Sequence, residues 1–280
     1  GSGADSAGSR PGSAGHRPPG ADHDENYDDP LDDGATHRVQ LTLLEEILLI
    51  GLKDAQGYLS FWNDNISYVL RGCILMELSF RGRIGIVKEI RKRPFAERLV
   101  EVLDERPTGE VLLDEALKLI KLETQSVGNW IDLMSGETWN LMKIGYQLKQ
   151  VRERIAKGLV DKGVLRTEKR NFVLFDMATH PVADMAVKER VVRRVIDTLL
   201  GRGGGRPSRR NIAMVCAAYA ANVLENALVS VNHAQREAAF TRVDELLQEY
   251  ANLSDRARAS GATEIMAGVL AVYTKMDSIL

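Results

Sequence analysis

From residue 42 onward the apolar residues recur at helical intervals. Leu43, Ile47, Leu48 and Leu52 follow Thr42-Leu43-Leu44-Glu45, a capping box in which the Thr and Glu side chains exchange bonds with each other's backbone amides. A second helix is predicted from about 62 to 81, with Ile66, Val69, Leu70, Cys73, Ile74 and Leu78 forming a broad apolar face. RIGIVKEI and RLVEVLDE switch to strand-like patterning around the basic turn Arg91-Lys92-Arg93-Pro94. Thr108-Gly109-Glu110 opens a helix to about Glu123, and residues 127–134 make a short one. The pattern from Glu137 to Lys162 predicts one long helix stopped by Gly163, with a tight hairpin after it. A helix over 187–200 then ends at the loop GRGGGRPS, and three more are predicted over 209–230, 234–253 and 262–278.

No internal repeat or linker divides this pattern. It predicts a mainly α fold: one helical domain over residues 37–280 with short β-hairpins, one of them a protruding amphipathic hairpin. Residues 1–36 are rich in Gly, Ser, Ala, Pro and Asp, with little to bury, and are expected to be a disordered acidic tail. A solvated tail is the simple reading of its acidic run from Asp22 to Asp33, and an autoinhibitory strip is the sharper one. The tail also hides a charge asymmetry. It holds eight acids and two bases of the chain's 39 acidic and 37 basic side chains, leaving 31 acids and 35 bases, about +4, on the remainder. That balance is mildly basic, short of a general nucleic-acid binder.

Charge placement says more than the sum. In YQLKQVRERIAKGLVDKGVLRTEKRNFVLFDMATHP, residues 146–181, a helix with a basic face runs into a hairpin with an oily tip. Lys149 and Arg152, spaced i, i+3, are predicted to share one side of that helix. Lys169-Arg170-Asn171 is read as the turn, followed without a break by Phe172, Val173, Leu174 and Phe175. Cations that grip phosphate beside side chains that enter lipid are what a protein needs to sit on an anionic bilayer without spanning it. Each part also has a plain structural reading. Lys149 and Arg152 fit a solvated face, Arg71 fits a cap on a neighbouring helix or a partner for a buried acid, Trp62 fits a core staple, and the apolar run fits a strand over the core.

Several chemistries lack a signature. Metal-ligand spacings such as CxxC or HExxH do not occur, the five histidines are scattered, and neither a metal site nor a cofactor is expected. GRGGGR neither follows a strand nor precedes Lys-Ser or Lys-Thr, so it is no phosphate-binding P-loop, and no G-x-S-x-G occurs. Catalysis is therefore not expected. Cys73 and Cys216 lie in apolar helical patterns and imply no disulfide framework. The polar start has no signal-peptide core. The apolar run over 212–229 is interrupted by Asn222, Glu225 and Asn226 and reads as a core helix, not a membrane span.

Four segments carry a family resemblance: EEILLIGLKDAQGYLSFWNDNISYVLRGC, TGEVLLDEALKLIK, the run from NWIDLMSGETWNLMKIGYQLKQVRER through the hairpin to ATHP, and ANVLENAL. From about Leu41 to the end the chain resembles the Golgi phosphoprotein family, most closely its fungal vacuolar-protein-sorting members. The resemblance implies a peripheral adaptor that binds phosphatidylinositol 4-phosphate. Its pocket would be built from Trp62 in SFWND, Arg71 in LRGC, and Lys149 and Arg152 in LKQVRER. The hairpin over about 168–179, with Lys169, Arg170 and Phe172 to Phe175, would serve membrane insertion and self-association into a homo-oligomer. The implied partners are cytoplasmic tails of Golgi glycosyltransferases and the coatomer. The implied location is the cytoplasmic face of Golgi membranes with a soluble cytosolic pool, and no nucleic acid is implied. The competing reading is a winged-helix-like nucleic-acid binder, whose outline is also a basic helix followed by a hairpin. A wing that reads DNA should be polar and basic throughout, whereas this hairpin turns strongly apolar.

Overall fold

The computed structural model describes residues 39–52, 64–90, 93–172, 175–202, 204–253 and 261–277. The acidic tail over 1–36 and Trp62 lie outside the described residues, as do Val173 and Leu174. Among the described residues the fold is mainly α, with ten α-helices and two small antiparallel hairpins.

The core is built on α2 (Asp64–Phe80), in which Ile66, Val69, Leu70, Cys73, Ile74, Leu75, Met76 and Leu78 are fully buried. Apolar residues all around a helix require partners on every side. α1 (Leu43–Gly51), α3 (Val111–Leu122), α4 (Val127–Ser135), α7 (Arg209–Ala220) and α10 (Gly261–Asp277) supply them. Where α10 crosses α2, Gly72 allows the close approach. A Cβ there would lie 2.2 Å from the Tyr273 hydroxyl and 2.7 Å from Val269. That hydroxyl donates to the Val69 carbonyl at 2.7 Å.

Helix α1 starts where the capping box predicts. The Thr42 hydroxyl accepts from the Glu45 amide at 3.2 Å, and the Glu45 carboxylate accepts from the Thr42 amide at 2.8 Å. All nine residues of α1 are buried, two of them acidic. Buried charge needs compensation, and α6 (Met185–Leu200) and α7 provide it. Arg194 pairs with Glu46, while Arg210 reaches Glu46 at 2.7 Å and Glu77 at 3.3 Å. Burial works to raise the Glu46 carboxyl, but Arg210 and Arg194 outweigh it and hold the group below the ordinary carboxylate range.

The first hairpin pairs β1 (Ile84–Ile86) with β2 (Val100–Val102), and the second pairs β3 (Glu168–Phe172) with β4 (Phe175–Thr179). In the second, Lys169, Arg170 and Asn171 do not form the turn predicted from sequence. They sit in β3 opposite Ala178, Met177 and Asp176. Phe172 pairs with Phe175, so only residues 173 and 174 connect the strands. A two-residue connection fixes the register of an antiparallel pair and moves the turn three positions along the chain.

Two predicted helices are interrupted. The 209–230 helix ends as α7 at Ala220, passes through Asn222 at a left-handed φ of 58°, and resumes as α8 (Leu224–Ala227). Helix α9 (His233–Ala251) opens on a second capping box, Asn232 with Gln235. The second interruption shapes the candidate site.

Candidate functional site

The predicted helix from Glu137 to Lys162 is two pieces, a 3-10 helix at Leu141–Tyr146 and α5 (Val151–Asp161). Ser126 caps the start of α4, accepting from the Asn129 amide at 3.2 Å, and Gly136 ends that helix at a left-handed φ of 84°. Asn140 then starts the 3-10 helix by accepting from the Met142 amide at 3.0 Å. The break comes at Leu148. Its side chain is fully buried, and its amide donates to the Met134 carbonyl at 3.0 Å rather than into a helical ladder. Gln150 follows at a left-handed φ of 52° and turns the chain into α5.

Arg71 organises this break from inside. Its Nε donates to the Met134 carbonyl at 3.2 Å, one Nη to the Ser67 carbonyl and hydroxyl at 2.8 and 2.7 Å, and the other Nη to the Leu148 carbonyl at 2.8 Å. The guanidinium thus caps the end of α4 and holds the strand of chain that leads to α5. It is 6% exposed, and among the described residues no carboxylate pairs with it. Burial pulls it down to about 10, so it remains a cation at neutral pH.

Lys149 and Arg152 are exposed one on each side of Gln150. The prediction that they share one helix is corrected. Lys149 precedes the N-cap, outside α5, and Arg152 lies in its first turn. The reason is the burial of Leu148, which uses the backbone that a continuous helix would need. One Nη of Arg152 bonds Glu153 at 3.0 Å, and Arg154 pairs with Glu115 of α3. Gln150 supplies no side-chain cap to α5. A helix start leaves its first N–H groups without intrahelical partners and carries partial positive charge. Two exposed cations therefore flank an uncapped, electropositive helix end with a third, buried cation behind it. That combination suits a phosphate.

The rest of α5 is fixed in place. Lys162, at its C-cap, bridges Glu45 of α1 and Glu110 beside α3, both at 2.7 Å. The Leu165–Val182 bridge closes the base of the hairpin beyond the end of the helix. Burial lowers the His180 imidazole, and the Arg152 charge lowers it further. Lys169 is exposed in β3.

The structure therefore gathers Arg71, Lys149 and Arg152 around the start of α5. Trp62 lies outside the described residues, and so does the apolar pair Val173 and Leu174. Sequence reasoning missed an apolar group on the 3-10 helix and just ahead of its N-cap Asn140. Trp139, Leu141 and Met142 are 104%, 80% and 88% exposed. Asn140 and Gly145, a helix start and a helix breaker inside the supposed long helix, were the available signal. Among the described residues no cluster of three or more metal-ligating side chains occurs, and no helix is long and apolar enough to cross a membrane.

Comparison with known proteins is consistent with this architecture. Vacuolar protein sorting-associated protein 74 of Schizosaccharomyces pombe is 51% identical over 307 aligned positions, covering 92% of this chain and 91% of that protein. The protein of the same name from Eremothecium gossypii is 48% identical over 284 positions, covering 88% and 86%. The family model described as Golgi phosphoprotein 3 (GPP34) matches residues 43–265, from the first residue of α1 into α10, and with it the chain is placed in the GPP34 family.

Proposed function

We propose that this chain is a peripheral adaptor of Golgi membranes that binds phosphatidylinositol 4-phosphate at the start of α5. The observation that carries the reading is the pair of exposed cations, Lys149 and Arg152, around an uncapped helix start backed by buried Arg71. A monoester phosphate brings about −1.5 to −2 charge and three strong acceptor oxygens. Arg152 offers a planar fork to two of those oxygens, and Lys149 acts as a point charge. The amides of the first turn donate along the helix axis. Arg71 contributes field from beneath while its donors hold the loop, so its part is both electrostatic and positional. Trp62, named by the family resemblance, would place an amphipathic ring at headgroup level.

The hairpin is the second part of the proposal. Its connection would enter the bilayer and, away from membranes, would meet another copy of the chain. Family membership and the name shared by the relatives support a role in protein sorting. On that basis the adaptor would hold the cytoplasmic tails of Golgi glycosyltransferases and pass them to the coatomer for retrieval.

The test is co-sedimentation of the full chain with vesicles that differ only in phosphoinositide, each run with and without duplex DNA as competitor. Preference for phosphatidylinositol 4-phosphate, weakened in Arg152→Ala, is the expected result. Equal binding to every phosphoinositide would refute the lipid assignment. Displacement from vesicles by DNA would favour the nucleic-acid reading instead.

A further inference from the structure

We infer that Trp139, Leu141, Met142 and Ile144 form a second membrane-inserting element that dips into the interfacial layer of an anionic bilayer beside Lys149 and Arg152. The inference rests on the lipid-surface reading above and adds to it a contact by residues outside the pocket and the hairpin.

These four side chains are 104%, 80%, 88% and 46% exposed, respectively. Single exposed apolar residues are ordinary, but four within six positions are a concentration that soluble surfaces rarely keep bare. They are also held in place. Asn140 caps the 3-10 helix at the Met142 amide, and the Gln147 amide donates to the Ile144 carbonyl at 3.2 Å. Tyr146 meets buried Trp130 edge to face at 5.7 Å between ring centroids. Lys143 is tied to Glu123 at 2.8 Å. The apolar side chains thus stand on a braced support.

Shape and charge choose the occupant. Side chains exposed to this degree form a projection, not a groove. A projection gains most from a medium that closes around it, which lipid does and a folded partner does only with a matching cavity. Leu148 joins this segment directly to Lys149, and the cations there favour the anionic leaflet. An exposed Trp at the start of the projection has the amphipathic ring favoured at the headgroup boundary.

The test uses the full chain and vesicles of phosphatidylcholine, phosphatidylserine and phosphatidylinositol 4-phosphate, with bromine on the upper acyl chain as a short-range quencher. Brominated vesicles should quench part of the tryptophan emission, from Trp62 and Trp139 together, and Trp139→Phe should clearly reduce that quenching while the chain still sediments with vesicles. Trp130 is fully buried and serves as an internal silent ring. Leu141→Asp with Met142→Asp should weaken vesicle binding about tenfold or more, as loss of one or two apolar side chains from lipid implies. Its melt should stay unchanged, because both positions are exposed. The inference is overturned if bromine quenches wild type and Trp139→Phe equally, or if the double variant binds vesicles as wild type does, although the phosphoinositide preference persists. A double variant that changes only the mass at sedimentation equilibrium would assign the segment to contact between copies and also overturn it. If wild type fails to bind these vesicles at all, both this inference and the lipid reading fall.

Discussion

Replacing Arg71 with Ala tests whether the buried guanidinium is a brace or only a ligand. The substitution removes donors from three carbonyls, but the losses are unequal. Met134 keeps the Leu148 amide at 3.0 Å, and Ser67 keeps its place in the α2 ladder. Leu148 loses the donor held at 2.8 Å. One buried carbonyl left without its donor costs about 1–3 kcal/mol. The emptied stem adds ~1 kcal/mol as a cavity, and removing a buried charge returns part of the sum. A net loss of about 2–3 kcal/mol should lower Tm by roughly 4–12 °C for a domain of this size. Thermal melts followed by circular dichroism measure it directly. Arg71→Lys should rescue poorly, because an ammonium cannot span the Met134 and Leu148 carbonyls together. Vesicle binding should fall as well, since Lys149 and Gln150 follow the released carbonyl. A melt within about 2 °C of wild type, together with lost lipid binding, would refute the brace and leave Arg71 as a ligand alone.

The other predictions contrast with it. Arg152→Ala should weaken binding to vesicles containing phosphatidylinositol 4-phosphate about fivefold, from a contribution near 1 kcal/mol, with an unchanged melt, and added salt should shrink the difference. Glu46→Gln should destabilise by about 3 kcal/mol, because Arg194 and Arg210 lose a buried counter-charge. Since the Glu46 carboxyl is held below its ordinary 4.5, its contribution is complete above that pH and lost as pH falls below it. Denaturation titrations should therefore show wild type and Glu46→Gln converging in acid, and a constant gap would refute the linkage. Gly72→Ala should cost about 1–3 kcal/mol in a denaturant melt by forcing Tyr273 away. Deleting residues 168–179 should abolish any concentration-dependent dimer or tetramer at sedimentation equilibrium, and a strict monomer in wild type would refute self-association.

What could be read from sequence was what local chemistry determines. The Thr42–Glu45 box and the apolar face of α2 are specified by neighbouring residues, and both stand as predicted. The break at Leu148 is not. The residues around it read as helical, and it is the distant Met134 carbonyl and Arg71 guanidinium that hold the chain in another course. Gln150 takes a left-handed conformation that its residue type does not announce, whereas Asn222 is of the type that adopts it most readily after glycine. Lys169-Arg170-Asn171 has turn-like composition, yet the register with Asp176 to Ala178 places it in a strand. At the candidate site, residue type suggested the cations but not their division of labour. Arg71 between Leu70 and Gly72 could be read as a cap or a ligand, and only its acceptors show that it braces the loop.

The crossing of α2 and α10 has a consequence for how the chain is made. Cys73 and Tyr273 touch across 200 residues of sequence. The side of α2 that carries Gly72 therefore stays bare until residue 273 has been synthesised. A nascent chain that has already formed α1 and α2 must keep that surface from its neighbours throughout elongation. Such long-range closure is slow and prone to aggregation. Native structure should consequently appear late, in a single step triggered by α10, and production in cells should depend on chaperone capacity more than the stability of the finished domain suggests.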